Sequence, residues 1–553
     1  MKKIIIKRKI LILFSLILFI GSILRLYQLG SVPLSLTWDE VALGYNAYSI
    51  FETGKDEFGA TLPVVMRSYD DYKPAFYTYL IIPSYKVFGL NEFSVRLPSA
   101  LMGIATLVSV YFLLKKLFKR EDIALLTMFI LAISPWHIQM SRVAFESNVG
   151  LALNVFAATF LLYGLKRYWM IVLAALFAGL SVHTYQSDRV FTPLFILGMG
   201  IIFFKPLMKV PKKYLVSAVV LGLLVVFPLI IYILNDSNAL LRAKGTSVFS
   251  NNFTLLKENA RRNEVNIAEG NDLGRIIDNR RVIYAKATLD GYLSHFNPNW
   301  LLKGDIARHH APEMGLIYIW EFPFILIGIY VLLFSKFERR TKYFIFFWFL
   351  LAPIPASITT GVPHALRTLN FLPTWQLFTA LGLISAFSVM SSIKYRLVGI
   401  KIKYILFVLF IIFAVFNFVY YLNQYFVQQN YFHAKEWLFG HKEIMQEVVK
   451  RQDQYANVVI TNKEPFDRSN MYYLFYSMYS PSDYQNSNPS SGGFAVLPKF
   501  DKFTFRPINW VEDSQMENTL FVGLPGEIPE SASIYTVYYP DGTPAAIMSG
   551  KRK

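Results

Sequence analysis

The run Leu36-Thr37-Trp38-Asp39-Glu40 sets two adjacent carboxylates directly behind an aromatic ring. A carboxylate beside a reacting hydroxyl can act as general base, a role typically worth about 10²- to 10⁴-fold in rate. The plainer reading of the same residues is a solvated loop or a helix N-cap. Their company favours chemistry. Tyr69-Asp70-Asp71-Tyr72-Lys73-Pro74 follows in the same connection, and later come Arg142 with Glu146, Tyr185 with Asp188 and Arg189, and His364 with Arg367. The later groups lie near the ends of apolar runs, where ionisable groups are costly unless paired or facing a wet cavity, and Lys73 would sit at headgroup depth. Arginine would hold a phosphate bidentately, and Lys73 would hold it as a point charge. The plainer readings are a snorkelling Lys73 and an Arg142–Glu146 pair at helical i,i+4 spacing.

Other chemistries fare worse. Cysteine is absent, which excludes disulfides and thiolate metal sites. His309 and His310 are adjacent in Lys303-Gly304-Asp305-Ile306-Ala307-Arg308-His309-His310, but neighbouring side chains seldom converge on one ion. No HExxH or Cys/His pattern accompanies them, so no metal is expected. Nor does the chain show a Ser-His-Asp triad.

These residues need a membrane scaffold. Only 17% of the 553 residues are charged while 54% are hydrophobic, a balance that points to lipid as solvent. The net charge of +18 does not mark a nucleic-acid binder, because Lys and Arg sit in short clusters between apolar runs. Lys2, Lys3, Lys7, Arg8 and Lys9 precede an apolar run to about Leu29 with no small-residue cleavage site, which reads as a retained first span. Apolar stretches predict about eleven spans, near 10–29, 94–114, 122–136, 147–165, 168–184, 190–204, 214–234, 315–335, 342–358, 370–390 and 403–422.

Every second connection is basic: Lys115/Lys116/Lys119/Arg120, Lys166/Arg167, Lys205/Lys209/Lys212/Lys213, Lys336/Arg339/Arg340/Lys342 and Lys394/Arg396/Lys401/Lys403. That side, with the N-terminus, is therefore assigned to the cytoplasm, and the protein to the plasma membrane. Two long connections, about 30–93 and 235–314, and a tail from 423 to 553 fall on the exterior. Ala75–Phe88 suits a helix lying in the interface plane. The tail combines a helix-like Glu436–Lys450 with strand-like Val458–Thr461, Thr519–Val522 and Ser533–Tyr539, and 485–493 reads as a loop. The expectation is a mainly α polytopic protein, with a membrane domain over 1–422 and a small exterior α/β domain over 423–553.

Asp39-Glu40, Lys73-Pro74, Val95-Arg96-Leu97-Pro98 and Ser141-Arg142 followed by Glu146 resemble the GT-C glycosyltransferases of the protein O-mannosyltransferase and lipid A aminoarabinose transferase superfamily, over about residues 1–420. The resemblance implies a polyprenyl- or dolichyl-phosphate sugar donor, an exterior active site and an inverting single displacement. It makes Asp39 the base with Glu40 beside it, and Lys73 a ligand of the donor phosphate. Arg367 follows as a second phosphate ligand on position and chemistry. Arg96, Arg142, Glu146, Tyr185, Arg189 and His364 complete the candidate substrate contacts. Two departures stand out: Lys73 precedes Pro-Ala rather than Pro-Pro, and Glu146 stands where many relatives have Asp. The histidines that ligate zinc in some relatives have no match here, so neither metal nor other cofactor is expected.

A phosphate monoester has a second pKa of about 6, so it leaves as an anion without a general acid, and one carboxylate suffices. The acceptor would be a lipid, a glycan or a protein outside the membrane. The alternatives are a secondary transporter, which predicts inverted-repeat hydropathy and small exterior loops, and a flippase or ligase of lipid-linked glycans, which shares the donor but not the carboxylate pair.

Overall fold

The computed structural model describes residues 2–69, 71–250, 253–304, 306–392, 396–397, 400–487 and 499–551. Asp70, Asp305, Lys394 and the 488–493 part of the expected loop lie outside them.

Helices dominate. The N-terminal half carries α1 (Lys2–Leu26), α2 (Trp38–Thr53), α3 (Phe76–Phe88), α4 (Glu92–Phe118), α5 (Glu121–Ile133), α6 (Pro135–Ser141), α7 (Glu146–Gly164), α8 (Met170–Ser181), α9 (Asp188–Ile202) and α10 (Lys212–Asn235). After a connection of short helices come α11 (Glu321–Phe334), α12 (Arg339–Leu351), α13 (Thr374–Ser391) and α14 (Ile402–Asn423). Each of the eleven apolar stretches has a helix on it. Six helical segments among the described residues are long and apolar enough to cross a membrane alone, or seven if the bent α5–α6 pair is one span. That pair turns by 60° at Ser134-Pro135, where proline removes a backbone donor and Ser134 caps the new helix.

Close approaches set the packing. In α11 and α13, Gly328 faces the Phe378 carbonyl and Gly382 faces that of Phe324, leaving no room for a side chain at either glycine. A buried polar knot ties α7 to α9. Asp188 accepts from Asn154 at 2.9 Å and from Asn370 at 2.8 Å, against the bare backbone of Gly150. The first long connection contains α2, a hairpin of β1 (Val65–Ser68) and β2 (Asp71–Pro74), and α3, which occupies the stretch expected to lie in the interface.

The C-terminal part begins with α15 (His441–Arg451). Its five-stranded sheet consists of β3 (Asn457–Ile460), β4 (Phe503–Phe505), β5 (Thr519–Gly523), β6 (Tyr535–Tyr538) and β7 (Pro544–Lys551), in the order β4-β3-β5-β7-β6. β3 runs parallel to both its neighbours, while β7 is antiparallel to β5 and β6. Helix α16 (Ser469–Ser477) packs the domain onto α2: a Cβ on Gly44 would stand 2.5 Å from the Phe475 ring, so the helices meet only because that residue is glycine. Lys442 bonds Glu92 at 2.8 Å and Gln485 reaches Thr53 and the Asp56 carbonyl, pinning the same interface.

Candidate active site

Asp39 and Glu40 sit in the first turn of α2, where the helix dipole favours carboxylates. Thr37 caps the helix: its hydroxyl accepts from the Glu40 amide and Glu40 Oε2 accepts from the Thr37 amide at 3.0 Å, a complete capping box. Successive helical side chains diverge by about 100°, so the two carboxylates part company.

Glu40 turns inward. Its Oε1 accepts from Arg96 Nε at 2.8 Å and from the Ala144 amide at 3.1 Å. The other Arg96 donors reach the carbonyls of Leu29, Pro33 and Ser35 at 3.2, 2.8 and 2.6 Å. Both side chains are buried, and their lone pairs and protons are taken up within the protein. Arg142 does similar work one layer behind. It donates to the carbonyls of Leu24, Gln28 and Val32, and lies over the rings of Tyr425 and Phe426. No i,i+4 pair joins it to Glu146, because the helix breaks between Ser141 and Glu146. Glu40, Arg96 and Arg142 therefore frame the site without opening into it.

Asp39 turns outward and forms an ion pair with Lys73 of β2. The two line one small cavity with Pro74, Phe145, Glu146, Tyr185, Gln186, Arg242 and Leu366, offering about 40 Å³ for water. The Lys73 side chain is 8% exposed and that of Asp39 is 45% exposed, open toward the cavity. Burial works against ionisation of Asp39, yet Lys73, supported by Arg242 and Arg308, outweighs it and holds the carboxyl below the usual range.

The far wall is built from two segments, 185–189 and 359–367. Tyr185, buried before α9, bonds the Arg367 side chain. Arg367 Nη1 is anchored on Thr359 Oγ1 at 2.7 Å and the Thr360 carbonyl at 2.6 Å, with Leu366 beside it in the cavity wall. Gln186 joins the cavity to Arg189, accepting from its Nη1 at 2.9 Å, while the remaining Arg189 nitrogens are buried with no hydrogen-bond partner among the described residues.

His364 stands behind Arg367. Its Nδ1 accepts from the Arg367 amide at 3.4 Å, and its own amide donates to His295 Nε2 at 3.1 Å. The His309 ring lies 4.7 Å from that of His364, whereas His310 points away toward His433. Burial, then the nearby Arg308, His310 and Arg367, push His309 down to about 3, so it is neutral at physiological pH. Among the described residues no group of three or more His, Asp or Glu is arranged to hold a metal ion.

The sequence reading missed Arg242 and Arg308. Both lie in the long connection that the sequence assigns to the exterior, where arginines run against the positive-inside bias, and that signal would have found them. It also missed a groove of about 510 Å³ between α8, α9 and α10, lined by Ala178, Val182, Thr192, Ile196, Gly222 and Val226. Val182 is three residues from Tyr185 in the cavity wall, and Thr192 is three residues from Arg189, which bonds Gln186 of that wall.

Superposition decides the architecture. The chain aligns with ArnT from Cupriavidus metallidurans, solved bound to undecaprenyl phosphate, over 97% of each chain with a TM-score of 0.54 and 13% identity. This is the GT-C fold. The Archaeoglobus fulgidus oligosaccharyltransferase tethered with an acceptor peptide shares it, with a TM-score of 0.51 and 16% identity over 98% of this chain and 74% of that one. In sequence, residues 72–232 match the family model described as dolichyl-phosphate-mannose-protein mannosyltransferase. An uncharacterized protein of Aquifex aeolicus (strain VF5) is 30% identical over 158 residues, 28% of this chain, and the match spans only 30% of that relative. The matched stretch runs from Tyr72, beside Lys73, through Glu146, Tyr185 and Arg189.

Proposed function

We propose that the protein is a multi-pass membrane glycosyltransferase that moves a sugar from a polyprenyl- or dolichyl-phosphate donor to a hydroxyl on an exterior acceptor, with Asp39 as general base. The observation that carries this reading is the Asp39–Lys73 pair, set in one cavity with Glu146, Tyr185, Gln186 and Arg242. The GT-C fold, the mannosyltransferase family match and the undecaprenyl phosphate bound to ArnT all support this class of donor.

The donor phosphodiester takes Lys73 and Arg242 as counter-ions, with Arg367 behind them through Tyr185. Its prenyl chain lies in the apolar groove between α8, α9 and α10. The acceptor oxygen attacks the anomeric carbon from the face opposite the phosphate, while the bond from that carbon to the phosphate oxygen breaks. The electron pair leaves with polyprenyl phosphate, the acceptor proton passes to Asp39, and the configuration inverts. Cationic side chains stabilise the charge that develops on the leaving phosphate, so no divalent metal enters the proposal.

The cavity, at about 40 Å³, is smaller than a sugar phosphate, so donor binding separates Lys73 from Asp39. Lys73 then neutralises the phosphate, and Asp39 loses the partner that holds its carboxyl low. Burial, the largest influence on Asp39, is then opposed only by the more distant Arg242 and Arg308, which makes Asp39 a better base at the moment one is needed. Glu146 and Tyr185 are placed to bind sugar hydroxyls. With the basic connections in the cytoplasm, this site opens on the exterior.

Reconstitution in proteoliposomes with polyprenyl-phosphate sugars tests the reading. Wild type is expected to release polyprenyl phosphate, and Asp39→Asn to lose release while remaining folded. Undiminished turnover by Asp39→Asn would remove it as the base.

A further inference from the structure

Trp38 connects the cap of α2 to Asp39, and its ring is where three distant parts of the chain meet. Arg308, from the long exterior connection, lies 4.9 Å from the ring centroid, and Arg468, from the C-terminal domain, lies 4.2 Å from it. Arg468 also lies 5.2 Å from the Tyr69 ring and donates to Asp467 Oδ2 at 2.5 Å, which fixes the direction of its guanidinium. The backbone around Trp38 is held from the same quarters. Tyr69 donates to the Trp38 carbonyl at 3.1 Å, and Tyr472, one helical turn after Arg468, donates to the Leu36 carbonyl at 2.8 Å.

A guanidinium is drawn to the negative face of an aromatic ring, most strongly to that of tryptophan. Within a hydrogen-bonded capping box, the indole works as a lever on the first turn of α2: moving the ring tilts the turn that carries Asp39. That tilt matters, because misplacing a reacting group by about 1 Å can cost on the order of 10²-fold in rate.

We infer that the C-terminal domain completes the active site through Arg468, a positioning residue that clamps Trp38 and thereby aims the Asp39 carboxylate. The inference rests on the reading of Asp39 as base. It makes the sheet domain part of the catalytic apparatus and explains why α16 is seated so closely on α2. Arg308 supplies a second grip on the ring from the long connection.

The test uses full-length Arg468→Ala, Arg468→Lys, Trp38→Leu and the Arg468→Ala/Trp38→Leu double variant. Hydrogen exchange of the amides between Leu36 and Val41 reads the clamp without reference to activity. Arg468→Ala is expected to speed exchange there by about tenfold, and Arg468→Lys by much less, since an ammonium is also held by an indole face. Wild-type exchange in Arg468→Ala overturns the inference. If Arg468→Ala fails to fold, Trp38→Phe replaces it: intermediate exchange supports the clamp and wild-type exchange overturns it.

Transfer kinetics supply the catalytic half. Arg468→Ala should lower kcat by about 10- to 100-fold while leaving the KM for a polyprenyl-phosphate sugar within about threefold. The double variant should be no worse than the worse single variant, and multiplicative losses would show that the two residues act separately. A wild-type protein that transfers nothing from such donors would sink the donor reading, while hydrogen exchange would still decide the clamp.

Discussion

Replacing Arg96 with methionine removes the cation that faces Glu40 in the layer beneath Asp39. Both side chains are essentially inaccessible, at 0% and 1%. Breaking a buried pair from one side costs about 3–5 kcal/mol, because an uncompensated charge remains. Arg96 also serves three carbonyls, of Leu29, Pro33 and Ser35, and each one left without a donor adds up to about 1–3 kcal/mol where no water reaches it. The combined loss is at least about 4 kcal/mol, a large part of the roughly 5–15 kcal/mol that holds a typical domain together. Asp39→Asn is the contrast. Asparagine keeps an acceptor oxygen for the buried Lys73, and the Asp39 side of the pair is part-exposed, so the loss should be well below that of Arg96→Met. Thermal unfolding in detergent, followed by tryptophan fluorescence and by the surviving monodisperse fraction, separates the two. Arg96→Met should unfold far below wild type and Asp39→Asn close to it. If Arg96→Met were as stable as wild type, the picture of Glu40 and Arg96 as the frame of the site would fail.

Four further outcomes follow from particular contacts. In Lys73→Met, Asp39 loses the cation that holds its carboxyl low and keeps the burial that raises it, so the acid limb of kcat/KM should move to higher pH; an unmoved limb would dissociate the two residues. Burial lowers His295 to about 4 and His309 to about 3, below the unfolded value of about 6.5. Their contribution to stability is therefore complete above pH ~6.5 and declines as pH falls toward those values, and His309→Asn should flatten the fall in unfolding free energy. Turnover should survive EDTA, since the proposed phosphate ligands are side-chain cations, and a loss restored by a divalent ion would contradict that. Gly382→Leu should prevent the close approach of α11 to α13 and lower the yield of folded protein, whereas Gly542→Ala, in open space, should cost only the strain of its positive φ.

The sequence made the membrane scaffold readable because apolar runs and basic connections are one-dimensional signals. Each predicted run carries a helix, although Met170–Ser181 and Glu321–Phe334 are shorter than a full span. In the tail, helix α15 and strands β3, β5 and β6 fall on or within the expected stretches, but β4 and β7 escaped notice. Residues 544–551 begin with Pro-Ala-Ala and end in Gly-Lys, a composition with little strand character outside its sheet.

At the site, residue type identified Asp39 and Lys73, and the hairpin brings them together from 34 residues apart. Residue type alone does not tell Asp39 from Glu40, and only the resemblance made Asp39 the base; the physical difference lies in which way each faces around one helical turn and in Arg96 on the inner side. Arg142 drew notice as a cation near a span end, and its partners are the carbonyls of Leu24, Gln28 and Val32 and the Tyr425 hydroxyl, which no local side-chain pattern reveals. Arg468 lay beyond reach for a similar reason: its ring partner is 430 residues away, and only the seating of the C-terminal domain on α2 joins them.

The most direct measurement compares lipid-linked sugars and exterior glycans, by mass spectrometry, in cells carrying the wild-type or the Asp39→Asn allele at equal protein levels. Loss of the base should leave a polyprenyl-phosphate sugar accumulating and one exterior glycan missing, which would identify donor and acceptor together. Identical lipid-linked sugars and glycans in the two strains would contradict sugar transfer by this site.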